Sequence, residues 1–137
     1  MADQSKLLEE LRSILYRFET LDSSADIRTR VLALVPVVEK LRDVGKAFLS
    51  SDLREGARAR ILKYFLLYPL TVLNEKELAI VAGISEWARR VRELRVQFGW
   101  QIVSGLTAKE MLDQHELAVE DIDLGSMGPN DYALLST

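Results

Sequence analysis

Four arginines fall within one short stretch, Arg89, Arg90, Arg92 and Arg95, with Glu86 and Glu93 set among them. A guanidinium carries five N–H donors in a rigid fork. It can meet a phosphate, or the O6/N7 edge of guanine, with two bonds at once, and a glutamate can accept from cytosine. Ile84, Trp87, Val91, Leu94 and Phe98 recur at helical spacing on one face. Glu86, Arg89, Glu93 and Val96 fall opposite, flanked by Ser85, Arg90, Arg92 and Gln97. A helix lying in a major groove needs this division, one face for the core and one able to reach base edges. The N-terminal end of such a helix enters deepest. Ser85, Glu86, Arg89 and Arg90 are therefore the candidates for base contact, Arg92 for a phosphate and Glu93 next. Lys76 and Gln97 complete the candidate DNA-binding set. The competing reading is a solvated face held by the ion pairs Glu86–Arg89, Glu86–Arg90 and Arg89–Glu93.

The surrounding residues have to hold that face outward. Asn74, with Glu77 three residues later, is a capping box, and Leu78, Val81 and Ala82 give the helix it opens one apolar side. Gly83 can take a left-handed turn at no steric cost, Ile84 can anchor the corner, and Ser85 can cap a second helix over 86–98. Helix, short glycine-containing turn, helix is the sequence form of a helix-turn-helix. Gly99 and Trp100 end the second helix, and 101–105 reads as a short strand reaching a turn. Upstream, a broadly apolar helix over 53–68 is stopped by Pro69. Its buried positions are expected at Ala57, Ile61, Phe65 and Tyr68, with Arg58, Arg60 and Lys63 on the remaining side. The segment 70–73 reads as a small strand. Downstream, Thr107 with Glu110 predicts a helix over about 108–116. Gly128-Pro129-Asn130 marks a turn, and 131–135 reads as a return strand pairing with 101–104. The predicted fold is mainly α with a small β-wing, a winged helix-turn-helix over 51–137 with a helix-containing insertion in the wing at 105–130.

Residues 1–50 read as an N-terminal two-helix hairpin. Leu7, Leu11, Ile14 and Phe18 stripe a helix over 4–19. Ser23, with Asp26, predicts the start of a long helix over 26–49. Its positions Ile27, Val31, Leu34, Val38, Leu41, Gly45 and Phe48 keep a four-three alternation, a heptad seam whose weak point is Gly45 and whose middle holds Pro36. Two roles remain open for the hairpin: cover for the following domain, or a homodimer contact that would place two recognition helices on a two-fold symmetric site.

The totals bound the rest. A chain of 137 residues suits one domain with an appended element. With 48% hydrophobic residues it can build a core, and no apolar run is long enough to cross a bilayer. The N-terminus lacks a signal-peptide layout and there is no cysteine, which together predict a cytoplasmic location. A net charge of -3 counts against nucleic acid, but the acid is concentrated in 110–123, away from the arginines. Trp87 and Trp100 read as core or wing-base residues. His115, the one histidine, reads as a surface residue. Glu110, Asp113, Glu116, Glu120, Asp121 and Asp123 lack the spacing of an EF-hand loop and read as solvated. No phosphate loop, nucleophile elbow or zinc-protease motif occurs. No catalytic residue, metal site or cofactor is assigned, so the chain reads as no enzyme by itself.

The string GISEWARRVRELRVQFGWQIVSG, followed by PNDYALL, resembles a winged-helix module of bacterial restriction endonucleases, including HNH-type enzymes. The matching positions are Ala88 to Arg95 in the helix, Gly99 to Ile102 in the strand, and Pro129, Tyr132 and Leu134 at the end of the wing. The likeness covers roughly Arg58 to Leu135. It departs in a longer, acidic wing and in the lack of a nuclease motif. The resemblance implies restriction of foreign DNA and sequence-specific binding of double-stranded DNA, with this chain as the target-recognition part. Under that reading a catalytic domain is expected beyond Thr137. The alternatives are a stand-alone transcriptional regulator, or a protein-interaction or oligomerisation module on the same scaffold.

Overall fold

The computed structural model describes residues 4–49, 55–113 and 127–136. Its elements in chain order are α1 (Gln4–Glu19), α2 (Ile27–Lys46), α3 (Ala57–Leu67), α4 (Glu75–Ala82), α5 (Trp87–Val96), β1 (Ile102–Ser104), α6 (Gly105–Asp113) and β2 (Tyr132–Leu134). The described chain is thus mainly helical, with one two-stranded antiparallel sheet.

Asn74 and Glu77 form the capping box that their spacing requires. The Glu77 amide donates to Asn74 Oδ1 at 2.9 Å, and the Asn74 amide donates to Glu77 Oε2 at 2.9 Å. Glu77 also accepts from the Tyr64 hydroxyl at 2.7 Å, so the start of α4 is tied to α3. The other end of α4 closes on Gly83, which sits in the left-handed region at φ 66°. Leu78, Val81 and Ala82 turn inward from α4 and meet Ile61 and Phe65 of α3 and Val91 and Leu94 of α5. Ile102 of β1 and Leu134 of β2 close this core from the sheet side.

The sheet divides two cores by the period-two alternation of a strand. Ile102 pairs with Leu134 and both face the main core. Val103 pairs with Ala133, and both face Ala108 of α6 in a smaller cluster. The expected strand over 70–73 is reduced to a single bridge. Leu73 exchanges both backbone bonds with Tyr132, at 2.7 and 2.8 Å, and the Leu70 amide donates to Leu134 O. Leu70 itself has φ 56°, a left-handed geometry that interrupts strand pairing there.

Several predicted boundaries move, each because a different residue satisfies the helix end. Asp26, and not Ser23, caps α2, accepting from the Thr29 amide at 2.8 Å, and the helix stops at Lys46, before Leu49. Pro36 lies inside α2. Helix α3 begins at Ala57 with Gly56 as its N-cap, later than the expected 53. The expected linker and helix start at Ser50, Ser51 and Asp52 lie outside the described residues. Tyr68 is exposed, and not part of the buried face of α3. Helix α6 starts at Gly105, three residues early. Ser104 Oγ accepts from the Thr107 amide at 3.1 Å, so the serine takes the capping role expected of Thr107. Gly105 admits this tight start because a Cβ there would lie 1.7 Å from the Gly128 carbonyl oxygen. His115 and the acidic residues 116–123 lie outside the described residues.

Helices α1 and α2 pack side by side. Leu7, Leu11, Ile14 and Phe18 are the half-buried side of α1; Ala33, Val37 and Lys40, half-buried, and Val44, buried, are that of α2. Lys40 bridges the pair by donating to Glu10 at 2.6 Å. Helix α2 then approaches α4 at Gly45. A Cβ there would sit 2.2 Å from the Ile80 carbonyl oxygen, so this glycine admits a close approach of α4 and is not the weak point of a seam. The heptad stripe itself is turned outward. Ile27, Val31, Leu34, Val38 and Leu41 are exposed, and so is Phe48, beyond the end of the helix.

Candidate nucleic-acid interface

Helix α5 carries the arginine cluster, and its orientation depends on a residue that the linear pattern misplaces. Arg60, expected on the open side of α3, is only 4% exposed. Its Nε donates to Val81 O at 3.0 Å and its Nη2 to Ala82 O at 2.6 Å, and Nη1 donates to Glu55 O. The first two acceptors are last-turn carbonyls of α4, which have no partner within that helix. Burial lowers the Arg60 pKa, partly opposed by the nearby Glu55 carboxylate. One guanidinium therefore fixes the end of α4, and with it the turn at 83–86 that launches α5.

Val91 and Leu94 are buried beneath α5, and Ile84 and Trp87 pack half-buried at its start. Trp87 meets the ring of Tyr132 edge-on at 5.9 Å, joining the start of α5 to β2. Burial raises the Tyr132 pKa, with Arg95 opposing. Phe98 departs from the predicted apolar face. It is exposed, and the guanidinium of Arg58 lies over its ring at 4.6 Å. Ser85 does not cap the helix. Glu86 stands at the N-cap and makes no side-chain capping bond.

On the outer side of α5, the rows Ala88–Arg92–Val96 and Arg89–Glu93–Gln97 flank an open groove of about 560 Å³. Of the predicted site residues, the structure brings Arg89, Arg92, Glu93 and Gln97 together here. Arg89 has 70% of its side chain exposed. Glu93 is the electrostatic centre, with only 14% of its side chain exposed. It accepts from Arg90 at 2.9 Å and from Arg58 at 3.1 Å, and Arg89 approaches to 3.9 Å. Three guanidinium groups thus share one carboxylate and leave a local positive excess. Arg90 is half-buried, and its Nε has no partner among the described residues. The structure does not bring the other candidates to this groove. Ser85 lines a second depression beside α2, and Lys76 lies with Asn74 and Glu75 against the 128–131 turn. Glu86 is exposed at the head of α5.

Arg58 joins the cluster from α3, 35 residues from Glu93 along the chain. Its apolar neighbours mark position 58 as outward-facing, but nothing in the linear pattern pairs it with α5. Among the described residues there is no group of three or more histidine, cysteine, aspartate or glutamate side chains that could hold a metal ion. No described helix is long and apolar enough to cross a membrane.

The described residues thus form a mainly helical protein whose arginine-bearing helix is braced on a small sheet. The chain belongs to the family described as the KpnI N-terminal domain, which matches residues 58–135. This is a restriction-endonuclease-associated domain, so the chain is related to restriction-modification proteins. A UPF0162 protein of Xylella fastidiosa (strain 9a5c) is 39% identical over 67 residues, 48% of this chain and 24% of that protein. The chain thus spans about a quarter of that relative's length. No solved structure matches. The family match begins within α3, at Arg58, so α1 and α2 lie outside it.

Proposed function

We propose that this protein is a sequence-specific double-stranded-DNA-binding module of the winged helix-turn-helix type, acting as the target-recognition part of a restriction-modification system. On this reading α4 and α5 are the helix-turn-helix pair and β1 and β2 are the wing. The chain binds and does not itself catalyse. The observation that carries the reading is the division of α5. Val91 and Leu94 are buried, and directly behind them Arg89, Arg92, Val96 and Gln97 line an open face that turns side-chain donors toward base edges and phosphates. Arg58 adds a cation beside that face from α3. Val96, 64% exposed, offers an apolar contact of the kind that a thymine methyl accepts.

Glu93 favours a second reading, a protein-interaction module on the same scaffold, because it draws on three of the arginines that would otherwise meet phosphates. The overall charge of -3 points the same way. Fluorescence anisotropy against a random duplex pool at two salt concentrations separates the two readings. DNA recognition predicts binding at micromolar protein or better, with affinity that falls steeply as salt rises, since each neutralised phosphate releases counterion. Absence of binding, or affinity indifferent to salt, refutes it.

A further inference from the structure

The outward stripe of α2 has no occupant among the described residues. Ile27, Val31, Leu34, Val35, Val38 and Leu41 range from 39% exposed at Leu34 to 77% at Ile27. Ile80 of α4, also exposed, extends the strip. Val38 and Leu41 continue with Ile80, Ile84 and Trp87 into a depression of about 270 Å³ at the α2–α4 junction. The exposed fractions add up to three or four whole aliphatic residues per chain, toward the upper end of the ~300–600 Å² that the largest apolar patch of a monomer reaches. The opposite side of α2 is already used by α1, so refolding of the hairpin on itself cannot cover the stripe.

We infer that this face binds the same face of a second copy, with the two α2 helices antiparallel about a two-fold axis near Leu34. Three features select that occupant. The stripe keeps a four-three repeat from Ile27 to Leu41, which lets a helix of the same period pack along its whole length. A two-fold contact covers both patches at once and brings the buried total toward the ~1,200 Å² at which specific interfaces begin. Charge then selects the direction. Arg28 and Glu39 lie on one edge of the stripe and Arg30 on the other; all three are exposed, and none forms an ion pair among the described residues. Antiparallel pairing about Leu34 sets Arg28 of each copy beside the partner's Glu39, at both ends of the contact. Parallel pairing sets Arg28 against the partner's Arg30, like against like. The antiparallel arrangement also carries the partner's Ile27, the most exposed residue of the stripe, to Leu41 and the depression next to it. This pairing is independent of DNA binding.

Sedimentation velocity with light scattering on the full chain tests it. The expected mass is twice 15.5 kDa at tens of micromolar. The double substitution Val31→Glu/Val38→Glu touches only exposed positions. It should give a monomer with an unchanged far-UV circular dichroism spectrum, whose melting temperature no longer depends on protein concentration. Arg28→Glu should weaken dimerisation at least tenfold, and Arg28→Glu/Glu39→Arg should restore it to within about threefold of the parent. A monomeric parent protein overturns the inference and assigns the face to a different partner. So does a dimer that survives V31E/V38E, or a charge reversal that the second substitution does not rescue.

Discussion

Replacing Arg60 tests how the outer face of α5 is held in place. Arg60→Met keeps most of the aliphatic stem and removes the guanidinium. Two buried carbonyls, Val81 O and Ala82 O, then lose their donors, and Glu55 O loses a third bond. A hydrogen bond to a charged group contributes about 1.5–3 kcal/mol, and an acceptor left buried and unpaired costs about 1–3 kcal/mol. Two such losses come to roughly 3–6 kcal/mol. Releasing the guanidinium from a site where it is 4% exposed returns part of that, because burial disfavours its charge. The net expectation is a loss of about 3 kcal/mol, large against the 5–15 kcal/mol that a domain typically has. At an m value of about 1–3 kcal/mol/M in urea, the midpoint should fall by at least 1 M with the slope unchanged. Arg60→Lys should lose nearly as much, since one compact ammonium cannot span three carbonyls set by a planar fork. Chemical denaturation followed by circular dichroism measures both variants. A loss below about 1 kcal/mol for R60M, or full stability in R60K, would refute the view that this residue clamps the end of α4.

Burial and the bond to Glu77 push the Tyr64 phenol up to about 12. A pKa raised in the folded state leaves stability untouched below the unfolded value near 10 and removes it as pH rises from about 10 to 12. Phenolate absorbance should show the Tyr64 step, the one lost in Tyr64→Phe, near pH 12, and Tyr64→Phe should flatten the alkaline fall in melting temperature. Gly45→Ala should cost about 1–3 kcal/mol in thermal melts despite the better helix propensity of alanine, because its methyl group meets the Ile80 backbone; a stabilised variant would mean that α2 and α4 are not in close contact there. In binding assays Arg89→Ala should relax base preference by about 1–3 kcal/mol of discrimination. Arg92→Ala should weaken all duplexes alike and reduce the salt slope by about one. Unchanged selectivity and slope in both variants would show that α5 does not lie in the groove as placed.

What could be read from the chain alone was whatever depends on near neighbours. The capping box at Asn74 and Glu77, the left-handed Gly83 and the extent of α1 are each decided within a few residues, so composition and spacing reach them. The same holds for the buried positions Val91 and Leu94, because a helix repeats its inner face every three or four residues. The pairing of 102–104 with 132–134 spans nearly thirty residues, and it was legible only because alternation and the Gly128–Pro129 turn signal point the same way. Tertiary structure decided the rest. Periodicity puts Arg60 on the open side of α3, and only the position of α4 supplies the carbonyls that hold it buried. Periodicity equally places Phe98 with the core, yet α5 ends at Val96, before the chain carries that ring inward, and Arg58 takes the ring instead. The heptad stripe of α2 was visible as a pattern, but a pattern does not say which of two apolar sides meets α1. Lys40, reaching Glu10, and Gly45, admitting the Ile80 backbone, settle that, and their partners lie 30 and 35 positions away in the chain.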